Sequence, residues 1–168
     1  MNFDHKQLLY ASVNVSPKLG IFRPRWGFYY KQQFFDTRKY GASKALSRPL
    51  LLCLLDNNFA LSEAMNAAIS LNAATPNADG FLMMKSNYSV DLRFDKSFAN
   101  RTWIIYLSAN DIFKTTKERW TMYGQGAGTT KDCYYYTRSI SLQVTYNFNA
   151  KRSKYKGTGA GNEEKSRL

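Results

Sequence analysis

Residues 139–148 (SISLQVTYNF) alternate without a slip. Ile140, Leu142, Val144, Tyr146 and Phe148 fall on one side, and Ser139, Ser141, Gln143, Thr145 and Asn147 on the other. The same period recurs upstream. Leu9, Ala11, Val13 and Val15 alternate with Tyr10, Ser12, Asn14 and Ser16. Trp26, Phe28 and Tyr30 alternate with Gly27, Tyr29 and Lys31. Met65, Ala67, Ile69, Leu71 and Ala73 alternate with Asn66, Ala68, Ser70 and Asn72. Tyr88, Val90, Leu92 and Phe94 alternate with Ser89, Asp91, Arg93 and Asp95, and Trp103, Ile105, Leu107 and Ala109 with Ile104, Tyr106, Ser108 and Asn110. Successive side chains leave a pleated backbone on opposite sides, so a period of two marks strands whose faces meet different surroundings. Segment 48–56 is apolar on both sides. Segment 63–71 is rich in Ala and could pass for a helix on propensity alone; its alternation and flanking turn residues favour a strand. About seven strands are expected, with 102–123 read as one long strand.

The connections are of two kinds, and they alternate. Segments 16–20 (SPKLG), 56–61 (DNNFAL) and 95–100 (DKSFAN) read as tight turns. Segments 36–45 (DTRKYGASKA), 75–80 (TPNADG) and 124–132 (GQGAGTTKD) are longer, or richer in Gly and polar residues. An antiparallel meander with a short-turn end and a long-loop end gives this pattern. Either a soluble β-sandwich binding module or the wall of an outer-membrane barrel is compatible with it. In the first the apolar face meets a second sheet; in the second it meets lipid and the polar face lines a lumen. Three features favour the barrel. Large polar groups (Asn14, Asn66, Asn72, Asn87, Asp91, Arg93, Asn110, Gln143, Asn147) suit a wet lumen. Aromatics gather at strand ends, with Tyr134, Tyr135, Tyr136, Trp120 and Tyr123 at one level and Tyr146, Phe148, Phe94 and Phe98 at the other, as two interfacial girdles require. The strands are long enough to cross the hydrocarbon, which takes about 9–11 residues.

Aromatic residues reach 15% of the 168-residue chain, which suits strands and interfaces. Net charge is +12, of which the tail 149–168 carries +4 and the rest is scattered. No nucleic-acid-binding spacing accompanies it, so nucleic acid is not an expected partner. Cys53 and Cys133 stand apart from any metal-ligand spacing and read as isolated thiols. The longest apolar run, 49–55 (PLLLCLL), is too short for a membrane helix of about 20 residues. The N-terminal MNFDHKQ lacks the apolar core of a secretory leader. His5 is the one histidine, so a triad or a His-based metal site is not expected, and neither is enzymatic activity or a cofactor. Gly-rich stretches at 124–128 and 157–161 do not open a helix after a strand and fail as phosphate loops.

Segments 101–113 (RTWIIYLSANDIF) and 136–149 (YTRSISLQVTYNFN) resemble the end of TonB-dependent outer-membrane receptors. Asn110-Asp111-Ile112-Phe113 matches a penultimate-strand motif, and Phe148 the closing aromatic residue. Segments 31–36 (KQQFFD) and 149–168 (NAKRSKYKGTGAGNEEKSRL) are similar to the outer membrane β-barrel branch, whose members carry a carboxypeptidase-regulatory-like domain and a plug before the barrel. The resemblance implies a periplasmic C-terminus, periplasmic short turns and extracellular long loops. It implies an outer-membrane partial barrel over 1–148 and a polar basic periplasmic tail over 149–168. Family barrels have more strands than seven, and an odd antiparallel set cannot close, so the expectation is the C-terminal part of a larger receptor for an unidentified nutrient, not functional alone. Expected partners are outer-membrane lipid, the barrel insertion machinery, the missing plug and remaining strands, and the TonB system through the full-length receptor. Loop positions Tyr40, Asn77 and Gln125, with Asp91 and Arg93 on the lumen side, are the candidate ligand or plug contacts. Ile140, Leu142, Val144, Tyr146 and Phe148 mark the strand that the resemblance assigns as assembly signal.

Overall fold

The alternating segments fold as strands. The computed structural model describes residues 6–42, 46–124 and 128–148. Its strands are β1 (Gln7–Val15), β2 (Phe22–Phe34), β3 (Leu50–Ser62), β4 (Met65–Ala74), β5 (Asn77–Asp79), β6 (Leu82–Met84), β7 (Asn87–Phe98), β8 (Trp103–Asn110), β9 (Glu118–Tyr123), β10 (Gly128–Cys133) and β11 (Ser139–Tyr146). One 3-10 turn, Thr37–Tyr40, follows β2. The seven long strands form one antiparallel sheet in the order β1-β2-β3-β4-β7-β8-β11, and the four short ones a second, β10-β9-β6-β5. The architecture is all-β, with the long strands in the expected meander.

Register carries the two-faced pattern across the whole sheet. Val13 lies opposite Phe28, Phe28 opposite Cys53, Cys53 opposite Ala73, and Ala73 opposite Tyr88. Leu92 lies opposite Ala109, and Ala109 opposite Ile140. A slip of one residue would turn an apolar set to the wrong side, so this register is strongly specified. The ambiguous third strand divides in the same way: Leu51, Cys53 and Leu55 join the apolar face, Leu52 and Leu54 the other. Asn57 is an exception on the apolar face, and the Trp26 indole N–H donates to its side chain at 2.9 Å.

Among the described residues no protein layer covers the apolar face at β11 or β1. Ile140 is 78% exposed, Leu142 67% and Val13 62%. A soluble sandwich would bury these side chains against a second sheet. Here the second sheet sits at the long-loop end and meets β2 and β3 through β5. No helix among the described residues is long and apolar enough to cross a membrane, which says nothing of a barrel. Aromatic rings band the short-turn end: Phe22 stacks on Phe59 at 5.1 Å, Trp103 meets Tyr146 at 4.4 Å, and Tyr146 meets Phe148 at 4.5 Å.

Several expected features move, and the expected loops 75–80 and 124–132 hold β5 and most of β10. Segment 56–61 is strand, not turn: the alternation carries β3 on to Ser62, and the chain reverses before Met65. The turn placed at 95–100 falls later, at 99–102, where Ala99, Asn100 and Arg101 take positive φ. Segment 102–123 is not one strand. Asp111 (φ 43°) and Lys114 (φ 57°) end the extended run after β8, and β9 pairs with β6 and β10 instead. For the same reason Trp120 and Tyr123 belong to the second sheet. The sheet does not close: among the described residues β1 and β11 are its two edges. The tail 149–168 and His5 lie outside the described residues.

Candidate functional site

The polar face of the large sheet carries a continuous row of hydrogen-bonding side chains. Arg25 lies opposite Asp56, Asp56 opposite Ser70, and Ser70 opposite Asp91. Asp56 is the hub. One carboxylate oxygen accepts from the Arg25 guanidinium; the other accepts from Arg93 Nη2 at 3.1 Å and Ser70 Oγ at 2.9 Å. Two cations on one carboxylate leave the trio with a positive excess. These groups are partly exposed, so the arrangement orders the wall more than it stabilises the fold. Around the hub the face continues with Asn66 donating to Asp95 at 2.8 Å, Asn72 to Ser89 at 3.2 Å, and Asn110 to Ser139 at 3.0 Å. Gly27 makes room within it: a Cβ there would sit 2.8 Å from the Tyr29 ring and 2.9 Å from Asn14 Oδ1. The Tyr29 phenol crosses that space to donate to Asn14 at 3.0 Å. A concavity of about 620 Å³ lies over Asn14, Tyr29, Arg25, Asp56, Asp91 and Arg93.

The long-loop end is tied down by buried polar groups. Gln33, 1% exposed, donates to Leu46 O at 2.7 Å and Gly80 O at 3.1 Å, and accepts from Gly80 N at 2.7 Å. Gly80 holds the β5–β6 turn at φ 58°, a conformation that costs glycine little. Lys31 reaches Asp79 at 2.8 Å, Phe35 packs edge-on against Phe81 at 5.8 Å, and Asp36 caps the 3-10 turn through Arg38 N. The KQQFFD segment thus fastens the second sheet to the top of β2. The hydrogen bond from Lys31 holds the Asp79 carboxyl below its ordinary range.

Asp111 fastens the other side. Its buried carboxylate accepts from Thr115 N at 2.8 Å, from Thr116 N at 3.2 Å, and from the Thr115 and Thr137 hydroxyls. Burial pushes this carboxyl up, and the bonds from Thr137, Thr115 and Thr116 outweigh it, leaving it below its ordinary range. Asp111 N in turn donates to Asp91 at 2.7 Å. On the second sheet, Glu118 accepts from Lys131 at 2.7 Å and from the Trp120 indole at 2.8 Å. Hydrogen bonds from Lys131, Trp120 and Tyr135 lower Glu118 to about 2, and Glu118 raises Lys131 in return.

Asp91 and Arg93 both face the polar side, but they serve different partners: Asp91 takes the Asp111 amide and Arg93 takes Asp56. Asn77 is buried and donates to Thr75 O at 3.0 Å within its own loop. Tyr40 ends the 3-10 turn, and Gln125 lies outside the described residues. Asn77 is not brought together with the Asp56 hub. Ile140, Leu142, Val144 and Tyr146 share the apolar face of β11, with Phe148 exposed just beyond it. Asp56 escaped the sequence reading because 56–61 passed for a turn, and Arg25 because the second alternating run was read only from Trp26. The usable signal was an Asp and an Arg at polar positions of neighbouring two-faced strands. Among the described residues no group of three or more His, Cys, Asp or Glu could hold a metal ion. Cys53 and Cys133 are both free thiols.

A family model described as an outer membrane protein beta-barrel family matches residues 1–146. No curated protein and no solved structure matches the chain.

Proposed function

The chain belongs to the outer membrane protein beta-barrel family, and from that premise we propose that it forms the C-terminal wall of a TonB-dependent receptor that imports a nutrient ligand. The observation that carries the reading is the pair of unlike faces on one open sheet. One face is apolar and bare, as lipid requires; the other is a hydrogen-bonded, partly charged wall around Asp56, as a wet lumen requires. In this reading the short turns are periplasmic, the second sheet is extracellular, and the tail 149–168 is periplasmic. Further strands complete the barrel at β1 and β11, since backbone groups left unpaired at both edges are costly in hydrocarbon. A plug fills the lumen against the Asp56 row. The wall makes or breaks no bond.

The test is a chromosomal epitope tag placed after Leu168. The tagged product should fractionate with outer membranes, migrate well above 19.3 kDa, and be needed for growth on a scarce nutrient only when TonB is present. A tagged product in the soluble fraction, or TonB-independent use of the nutrient, would overturn the receptor reading.

A further inference from the structure

The polar face is hollowed on its short-turn side. In the row Arg23, Asn58, Ala68, Arg93, two arginines bracket a low floor. Arg23 and Arg93 stand three strand spacings apart, about 14 Å. Little rises between them: Ala68 is buried, and the Asn58 amide is drawn back to Asp56 O at 3.5 Å. Ala60 extends the floor by one row, and Tyr106 and Gln143, opposite each other, close the far side. The hollow measures about 730 Å³.

Three arginine side chains line this hollow: Arg23, Arg25 and Arg93. Arg25 and Arg93 each give Nη2 to the single carboxylate of Asp56. A guanidinium carries several N–H donors in a planar fork, and the rest of theirs meet no acceptor among the described residues. Arg23 makes no ion pair there at all. Asp95, the other carboxylate lining the hollow, accepts from Asn66 at 2.8 Å and pairs with none of the arginines. Lys18 adds charge where Arg23 and Arg25 line the adjoining hollow at the short turns. Cations in excess over a concave floor focus a positive field into it.

We propose that the hollow binds a small organic anion with two or more acidic groups, carboxylate or phosphate, and that the imported nutrient carries such groups. One acidic group meets Arg23 on one side of the floor; another meets the paired Arg25 and Arg93 on the other. Guanidinium forks match both kinds of group. A cation would meet like charge, and a neutral ligand would leave the open donors unanswered. The hollow lies toward the short turns, away from the long loops, so it is a waypoint inside the wall and not the place of first capture. The inference rests on the receptor reading for the ligand's route.

The full chain, folded in zwitterionic micelles, is titrated at low ionic strength with citrate and, separately, with inorganic pyrophosphate, and binding is read by calorimetry. At least one of the two should bind saturably, one per chain, and the stronger identifies the acidic group. Arg23→Gln breaks no ion pair of the fold and should weaken binding about tenfold. Ala68→Leu fills the floor, leaves every charge in place and should weaken it at least as much. Lys85→Gln removes the same charge outside the hollow and should change nothing. Far-UV circular dichroism checks that each variant keeps its strands; should Ala68→Leu lose them, Arg23→Gln against Lys85→Gln still decides. Binding of neither anion, or equal losses in Arg23→Gln and Lys85→Gln, would overturn the proposal. Hexaglutamate bound where neither small anion binds would overturn it too, and would assign the arginines to an acidic stretch of protein. No TonB enters this titration, so its failure is distinct from failure of the receptor reading, which the tagged strain decides.

Discussion

Asp111 shows how much one side chain can settle. Its backbone takes a left-handed φ that ends β8, its amide reaches Asp91, and its carboxylate gathers Thr115, Thr116 and Thr137. Replacing it by Ala leaves several part-buried donors without their acceptor, so Asp111→Ala should destabilise the folded chain by about 1–3 kcal/mol, measured by urea unfolding in lipid vesicles. The motif 110–113 was legible as a pattern, but this role was not, because the donors it serves come from 115, 116 and 137 and only meet in the fold. Glu118 makes a second prediction at this scale. Its folded carboxyl titrates near 2 against an ordinary 4.5. It therefore stabilises the second sheet fully above pH 4.5, and that contribution is lost as pH falls from 4.5 toward 2. Because Trp120 donates to the same carboxylate, Trp fluorescence should change across that window and be flat in Glu118→Gln. An unchanged titration in the variant would detach the signal from this group.

At the scale of elements, six of the seven long strands were legible because each reports its two surroundings at every second residue; β3, apolar on both sides over 48–56, shows no such period there. The four short strands were not. Three residues, as in β5 and β6, are too few to show a period, and Gly128–Cys133 reads as a polar loop. Their pairing is decided by contacts at a distance, such as Gln33 with Gly80. Turns failed where alternation was trusted less than composition: Asn57 and Asn58 look like turn residues and are strand residues. β11 offers the sharpest comparison between faces. Leu142→Arg on the apolar face should cost about 2–4 kcal/mol in a bilayer, whereas Ser141→Arg on the polar face should cost far less. Folding yields into vesicles measure both, and equal penalties would contradict the assignment of faces.

For the whole molecule, the strand order of the large sheet is the order of the chain, interrupted only by the short sheet that loops out between β4 and β7 and between β8 and β11. Each long strand finds its partner next along the chain or just beyond one excursion. Little of the sheet therefore has to wait for distant segments to meet, and the wall can grow one hairpin at a time. The fastenings at the loop end are of another kind: Lys6 meets Asp79 across 73 residues, and Gln33 meets Gly80 across 47. Closing such long loops costs more chain entropy. Chain entropy favours forming them after the hairpins, so Gln33→Ala should speed opening of the loop end and leave the long strands unchanged, as read by amide hydrogen exchange at Gly80 against that of β3 and β4.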